Sequence, residues 1–153
     1  MEQKINKLVL IRGLCGSGKT TLAEKLAKEN NGVCVSADDF FTIDGSYKFS
    51  FNLIRAAHQY CLGTAFYNLY RGNNVYVHNT FTQQWEIEPY VDMAFTQGYE
   101  WELIESTTKW KYDVEECAKK TVHNVPATSI EKMRARWEST KDLLKHFEKY
   151  KNK

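Results

Sequence analysis

Eight consecutive residues near the start of the chain have the types and spacing of a phosphate-binding site. They read Gly13-Leu14-Cys15-Gly16-Ser17-Gly18-Lys19-Thr20 and fit the pattern G-x-x-x-x-G-K-[ST]. Glycines let successive backbone N–H groups converge on an anion, because no Cβ stands in the way. The lysine can bridge the β- and γ-phosphates of a nucleoside triphosphate, and the threonine hydroxyl can hold Mg²⁺. The sequence therefore predicts a nucleoside triphosphate site.

This motif assigns roles to its residues. We expect Lys19 to act in catalysis on the transferred phosphate and Thr20 to bind the metal ion. The alternative is a glycine turn followed by an ordinary surface lysine. The residues predicted to bind the nucleotide are Gly13, Cys15, Gly16, Ser17, Gly18, Lys19, Thr20 and Thr21.

An acidic turn is expected at residues 37–41, directly after the second predicted strand, and it contains the pair Asp38 and Asp39. In a doubly wound sheet this position lies at the carboxyl edge, beside the phosphate-binding loop. Phosphoryl transfer to an alcohol needs a group that orients the hydroxyl and accepts its proton, and a carboxylate can do both. Adjacent side chains point in different directions, so we expect one carboxylate to face the phosphates and the other to cap the following turn. Two solvated turn acids are the alternative.

The elements that must position these residues alternate between strands and helices, which favours a parallel sheet with helices on both faces. Short apolar runs predict strands at residues 7–12, 33–36, 74–78 and 99–105. Apolar spacing of three and four predicts helices at residues 21–28, 50–70 and 85–97. A turn is expected at residues 44–46, and residues 112–150 are expected to be helical with a break at 124–126.

Length and composition exclude several classes of protein. The chain has 153 residues, 42% apolar and 26% charged, which is typical of one globular domain spanning residues 1–153. Its net charge, 21 − 19 = +2, leaves the partner open. No apolar run is long enough to span a membrane, and no secretory signal pattern is present, so a cytoplasmic location without membrane association is expected.

The blocks at residues 13–23 and 36–41 resemble the bacteriophage-type polynucleotide 5′-hydroxyl kinases and their cellular relatives among P-loop kinases. Weaker blocks continue the resemblance through Asn79-Thr80-Phe81-Thr82, Trp110 and residues 133–138, so that it covers residues 8–138. The resemblance implies a P-loop kinase-like three-layer α/β sandwich with a C-terminal helical lid. It also implies transfer of the γ-phosphate of ATP to a 5′-hydroxyl end of DNA or RNA, with Mg²⁺ as cofactor.

In that family the first aspartate of the pair is the general base, which assigns Asp38 this role, and we also expect Asp38 to contribute to the metal site with Thr20. The chain departs from the family at three places. Phe41 stands where the phage enzymes carry an arginine that holds the acceptor phosphate. His78 replaces an aspartate before Asn-Thr. Lysines replace the lid arginines.

The residues expected on the acceptor side are Asp39, Phe41, His78 and Asn79. His78 either lies beside the phosphates or bonds the neighbouring backbone, and Asn79 either positions the acceptor or caps the next helix. Lys120 is expected to act from the lid, whereas the alternative for Lys119 and Lys120 is pairing with Glu115 and Glu116.

Three functions remain open at this stage. The first is the polynucleotide 5′-hydroxyl kinase, and the second is a kinase of the same fold that acts on a small-molecule or nucleotide hydroxyl. The third is a regulator that binds ATP without transferring phosphate. From the length we expect no phosphatase or ligase domain, and an end-healing role is then expected to need a partner protein.

Overall fold

The computed structural model describes residues 6–43 and 45–151. Their strands are β1 (Lys7–Arg12), β2 (Val33–Val35), β3 (Thr42–Ile43), β4 (Ser46–Tyr47), β5 (Val75–Asn79) and β6 (Glu100–Glu105). Their α-helices are α1 (Lys19–Glu29), α2 (Asp38–Phe41), α3 (Ile54–Tyr70), α4 (Gln84–Thr96), α5 (Val114–Lys120), α6 (Ala127–Ala135) and α7 (Thr140–His146). Short 3₁₀ turns at Phe51–Leu53 and Phe147–Tyr150 precede α3 and follow α7.

The main sheet is parallel, with the strand order β2-β5-β1-β6. Leu10 of β1 pairs with Val77 of β5 on one side and with Leu103 of β6 on the other. This order places β5 between β1 and β2, so the loops that follow these three strands meet at one edge of the sheet. The predicted parallel α/β sheet is confirmed.

Alternate residues of β1 face opposite layers, as the two-residue period of a strand requires. Val9 and Ile11 pack against Ala23 and Ala27 of α1. Leu8 and Leu10 join a larger cluster on the other face, to which α3, α4 and α7 contribute. The sheet is therefore buried on both faces, which confirms the three-layer sandwich.

A third apolar cluster attaches the helices after β6 to the phosphate-binding loop. Leu14 of the loop is fully buried against Val114 and Cys117 of α5 and against Ile130 of α6. The lid region is thus seated directly on the loop by apolar contacts.

Local structure differs from the sequence prediction at two places. Residues 38–41 form a short helix rather than a turn, because Asp39 and Phe40 donate their N–H groups to carbonyls three residues earlier. The C-terminal helical region has a second interruption before α7, where the Ser139 side chain accepts from the Asp142 N–H and caps the helix. The turn expected at residues 44–46 joins β3 to β4, but Asp44 itself lies outside the described residues.

Among the residues that the structure describes, every helix falls short of the length and apolar character that a membrane crossing requires.

Candidate functional site

The loop between β1 and α1 has the backbone conformation of an anion nest. Gly16 and Gly18 have φ angles of 80° and 95°, in the left-handed region that favours glycine. The Ser17 N–H donates to the Leu14 carbonyl at 3.0 Å, which closes the loop. The N–H groups of Gly16, Gly18 and Lys19 find no acceptor within the described residues. These donors at a helix N-terminus are suited to phosphate oxygens.

A segment after β6 holds this loop in place from outside. Ser106 Oγ donates to Ser17 Oγ at 2.9 Å, and Thr108 Oγ1 donates to the Ser17 carbonyl at 2.7 Å. Trp110 Nε1 donates to the Gly16 carbonyl at 3.0 Å. Sequence reasoning missed Ser106 and Thr108. Their position directly after a predicted strand that ends at the same sheet edge was the available signal.

The lysines expected near the phosphates lie around the loop at different distances. Lys19 Nζ donates to the Leu14 carbonyl at 3.5 Å and so crosses the loop. Lys120 Nζ lies 4.4 Å from the centroid of the Trp110 ring, which itself contacts Gly16. Lys119 pairs instead with Glu116 at 3.5 Å across one helical turn. Of the two lid lysines, Lys120 is the one brought next to the loop.

Thr20 and His78 meet although they come from different elements. Thr20 Oγ1 lies 3.2 Å from His78 Nδ1 at the end of β5. Burial, together with the nearby charge of Lys19, lowers the pKa of His78 to about 4, so the ring is neutral at pH 7. A neutral imidazole can accept a hydrogen bond from the Thr20 hydroxyl, which leaves the lone pairs of Thr20 Oγ1 available.

The two carboxylates of the acidic pair have different environments. Asp39 Oδ2 accepts from the Ser36 N–H at 3.0 Å and ties the helix start to the end of β2. Burial raises the pKa of Asp39 above its ordinary value, and the neighbouring charge of Asp38 adds to this effect. Both residues are exposed, but no backbone group of the described residues donates to the Asp38 carboxylate, whose Oδ1 accepts from the Tyr47 hydroxyl at 3.4 Å. Asp38 is thus the less engaged carboxylate of the two.

The other residues expected on the acceptor side have structural contacts. Asn79 Oδ1 accepts from the Ala37 N–H at 2.9 Å, so Asn79 holds the segment that carries Asp38 rather than capping the helix after β5. Phe41 is 5% exposed and packs against the rings of Phe40, Tyr47 and Phe49. Phe41 therefore supports an aromatic cluster and presents no cation to an acceptor phosphate.

The residues at the loop fit a magnesium ion of the kind that accompanies a nucleotide. Mg²⁺ keeps several waters and is held by one or two protein oxygens together with substrate phosphates. Thr20 offers a hydroxyl and Asp38 an exposed carboxylate. No group of three or more His, Cys, Asp or Glu able to hold a metal occurs among the described residues. A hydroxyl and one carboxylate suit an ion that takes its remaining ligands from water and nucleotide phosphates.

A family model described as an AAA domain matches residues 8–140 of the chain. The chain belongs to this AAA domain family. It is 36% identical over 128 residues to NEDD4-binding protein 2 of Homo sapiens. That match takes in 82% of the chain but 7% of the human protein, so the chain spans a small part of this relative.

Solved structures share the fold of this AAA domain. The Pnkp1/Rnl/Hen1 RNA repair complex contains a chain that superimposes with a TM-score of 0.62 at 20% identity, covering 99% of this chain and 48% of that one. A sugar kinase from Janibacter sp. gives a TM-score of 0.61 at 15% identity, covering 89% and 79%. The Mycobacterium tuberculosis APS kinase CysC, in complex with AMPPNP and APS, gives 0.56 at 17% identity, covering 76% and 69%. The α/β fold is thus that of P-loop kinases.

A buried arginine that sequence reasoning missed anchors the base of the site in this AAA domain. Arg12, fully buried at the end of β1, donates to the carbonyls of Phe81 and Thr82 and to the Thr140 hydroxyl. Its guanidinium lies 3.8 Å from the centroid of the Trp137 ring. Burial lowers the pKa of Arg12 to about 10, so it remains charged at pH 7. Arg12 thereby joins β1, the loop after β5 and α7 directly beneath the phosphate-binding loop.

Proposed function

We propose that this chain is an ATP-dependent kinase that transfers the γ-phosphate of ATP to a 5′-hydroxyl end of DNA or RNA. The observation that carries this proposal is the position of Asp38, exposed at the same sheet edge as the 13–20 loop. Asp39, Asn79 and Tyr47 hold the segment around Asp38 by hydrogen bonds. A fixed carboxylate beside a phosphate-binding nest is the arrangement that phosphoryl transfer to an alcohol requires.

In the proposed reaction, Asp38 orients the acceptor hydroxyl and takes its proton. The hydroxyl oxygen forms a bond to the γ-phosphorus, the bond from that phosphorus to the β–γ bridging oxygen breaks, and ADP leaves. The free N–H groups of the loop and Lys19 bind the phosphates, and Thr20 with Asp38 would hold Mg²⁺. When bound, Mg²⁺ would neutralise phosphate charge. Lys120, which lies next to Trp110, would stabilise charge from the α5 side.

The nucleic-acid acceptor is supported by two observations. Aromatic rings lie near Asp38: Tyr47 donates to it, and the half-buried Phe40 follows within the same short helix. Rings of this kind stack on nucleobases without regard to their sequence. A solved structure with this fold also belongs to an RNA repair complex that contains Pnkp1.

A kinase of a small-molecule hydroxyl is the second candidate, and one observation favours it. Phe41 is buried, so the position at which phage-type kinases hold the acceptor phosphate with an arginine carries no charge here. Folds of a sugar kinase and of an APS kinase also match this chain. The identity of the labelled acceptor separates the two candidates.

The deciding experiment supplies the purified protein with Mg²⁺ and γ-labelled ATP. The acceptors are 5′-hydroxyl DNA and RNA oligonucleotides, the same oligonucleotides with 5′-phosphates as controls, and separate mixtures of nucleosides and sugars. We expect label on the 5′-hydroxyl oligonucleotides alone, and we expect Lys19→Ala to abolish it. Label on a nucleoside or sugar instead would favour the second candidate. Binding of ATP with no labelled acceptor would contradict both and favour an ATP-binding regulator.

A further inference from the structure

One stretch of the chain combines exposed rings with an absence of acidic residues. Between Asp44 and Glu86 the sequence contains no Asp or Glu, although the chain contains 19 of these residues. A solvated helix face normally carries charges of both signs. This stretch, which includes all of α3, carries exposed aromatic rings instead. We call them the aromatic face: Phe49, Phe51, Tyr60, Phe66, Tyr67 and Tyr70.

The exposure of these rings is large. Phe51 is 79% exposed and Tyr70 is 74% exposed. The opposite side of α3 is already used, because Ala57, Cys61 and Ala65 are buried against the sheet. The rings are therefore not needed for the core. A contiguous exposed apolar surface of this kind marks a site of interaction.

The aromatic face is continuous with the candidate site. The Phe40 ring, two residues after Asp38, lies 5.8 Å from the Tyr60 ring. The Phe41 ring lies 5.2 Å from the Phe49 ring. At the other end of α3, the Leu69 carbonyl accepts from Asn6 Nδ2, just before β1 begins. The face therefore runs from the carboxyl edge of the sheet to the opposite edge, along a helix of about 25 Å.

Charge decides which partner this face fits. The formal charges of the acid-free stretch are the cations Lys48, Arg55 and Arg71, all of them exposed. Within this stretch, cations lie among exposed rings and carboxylates are absent. Such a surface fits a ligand that combines many negative charges with flat apolar rings. Single-stranded nucleic acid has this chemistry: its phosphates attract cations and its bases stack on aromatic side chains.

We infer that the aromatic face is the track along which the single-stranded acceptor runs, with its 5′ end at Asp38 and its following nucleotides along α3. This inference rests on the proposed function and adds to it the surface that binds the body of the strand. It predicts that affinity increases with oligonucleotide length until the face is covered. It also predicts that bases beyond the first nucleotide contribute to binding.

The test measures binding by fluorescence anisotropy of 3′-labelled oligo(dT) strands of 2, 4, 8 and 12 nucleotides, without ATP. The strands carry 5′-phosphates, so binding is measured apart from transfer. Tyr60→Ser and Tyr67→Ser each remove one exposed ring, and we expect each to weaken binding of the 12-mer about tenfold. The effect on the dinucleotide is expected to be smaller, because fewer bases reach α3.

Two matched controls separate this track from general effects. Trp85→Ser removes a ring that is 71% exposed on α4, next to Glu88 and Asp92, and is expected to change binding less than about twofold. Arg55→Glu should weaken binding and reduce its salt dependence, whereas Lys25→Glu on α1, across the sheet, makes the same charge change and should have little effect. Thermal unfolding checks that every variant folds as the parent does.

The outcomes distinguish this inference from the proposed function. Binding that grows with length and falls in the Tyr60 and Arg55 variants supports the track, even if no 5′-hydroxyl oligonucleotide is ever labelled. Labelled oligonucleotides with unchanged binding in these variants overturn the track and leave the kinase proposal standing. Absence of oligonucleotide binding at every length, or equal weakening by Trp85→Ser, also overturns the track.

Discussion

At the scale of single residues, hydrogen bonding separates two adjacent carboxylates that look equivalent in the sequence. One oxygen of Asp39 accepts from the Ser36 backbone N–H at 3.0 Å, whereas the Asp38 carboxylate accepts from the Tyr47 hydroxyl at the longer distance of 3.4 Å. A general base must be free to receive a proton from the substrate, so the geometry favours Asp38 for that role. Asp39 instead maintains the backbone that carries it.

Replacing Asp38 with asparagine should therefore remove most phosphoryl transfer. We expect Asp38→Asn to lower kcat by about 10²–10⁴-fold, because an amide cannot accept the proton of the hydroxyl. ATP affinity should change little, since the loop and Lys19 are untouched. Single-turnover transfer and ATP titration measure the two effects.

Asp39→Asn is the matched control for this prediction. The asparagine keeps an oxygen that can accept from Ser36, so transfer should stay within about tenfold of the parent. A larger loss in Asp39→Asn than in Asp38→Asn would show that the general base has been assigned to the wrong carboxylate.

At the scale of elements, α5 packs closely against the phosphate-binding loop. A Cβ on Gly16 would lie 2.0 Å from the Cys117 carbonyl oxygen of α5. The N-terminal half of α5 belongs to the buried cluster around Leu14. The lid helix is thus held tightly against the loop.

Gly16→Ala tests this seating. The φ of 80° and the collision with α5 should lower the free energy of unfolding by about 1–3 kcal/mol and weaken ATP binding. Gly63→Ala is the control, because its Cβ meets nothing within 4 Å and lies inside α3. It should stabilise the protein by about 0.5–1 kcal/mol. Equal stability of the two variants in urea unfolding would refute the tight seating of α5.

A second element-scale feature is the carboxylate at the end of β6. Glu105 Oε1 accepts from Lys111 Nζ at 2.7 Å and from the Tyr112 hydroxyl, and Glu105 Oε2 accepts from the Thr140 hydroxyl. Burial alone would raise the pKa of Glu105, but these hydrogen bonds outweigh it and hold the pKa below its ordinary value of 4.5. Glu105 thereby ties α7 to the segment that supports the loop.

The lowered pKa predicts a specific pH dependence of stability. Because the unfolded carboxylate binds its proton more tightly than the folded one, Glu105 stabilises the fold above about pH 4.5 and loses this contribution as the pH falls. Glu105→Gln should therefore be less stable than the parent at pH 7 and should lose less stability between pH 6 and pH 4. Urea unfolding across this range measures both; parallel curves would contradict the prediction.

At the scale of the whole molecule, Arg12 connects parts that are far apart in the chain. Its partner Thr140 is 128 residues away, and its partners Phe81 and Thr82 are 69 and 70 residues away. The planar guanidinium spreads five N–H donors over three nitrogens in a rigid fork, whereas the three donors of an ammonium group all radiate from one nitrogen. One buried side chain therefore holds β1, the loop after β5 and α7 together.

Arg12→Lys should destabilise the fold although it keeps the charge. At least one of the Phe81 and Thr82 carbonyls would be left without a donor, at a cost of about 1–3 kcal/mol in the free energy of unfolding. The control is Arg71→Lys, which changes an exposed arginine and should have an effect within about 0.5 kcal/mol. Similar unfolding midpoints for both variants would show that Arg12 does not carry this role.

Much of the fold could be predicted from the sequence because its signals are local. The strand at Lys7–Arg12 and the helix after it follow from consecutive apolar residues, glycines and apolar spacing. Residues 38–41 were misread as a turn, and the interruption before α7 was missed. The Ser139 side chain caps α7 and so starts a new helix at that point. The spacing of apolar residues does not reveal such a cap, because it depends on a polar side chain.

The candidate site likewise has one part that the sequence predicts and another that it does not. The motif at residues 13–20 predicts the phosphate-binding loop. The residues that contact the anion are neighbours in the chain, so they are also close together in the folded protein. The placement of His78 on Thr20, of α5 on Gly16 and of Arg12 beneath the loop depends on partners 58 to 128 residues away. The strand order β2-β5-β1-β6 brings those partners together. The phosphate-binding loop and the alternation of strands and helices can be predicted from the sequence alone, since both depend on short-range spacing. The partners of the two carboxylates and the exposure of the rings on α3 become visible only in the folded chain, since contacts and burial depend on how all of its elements pack.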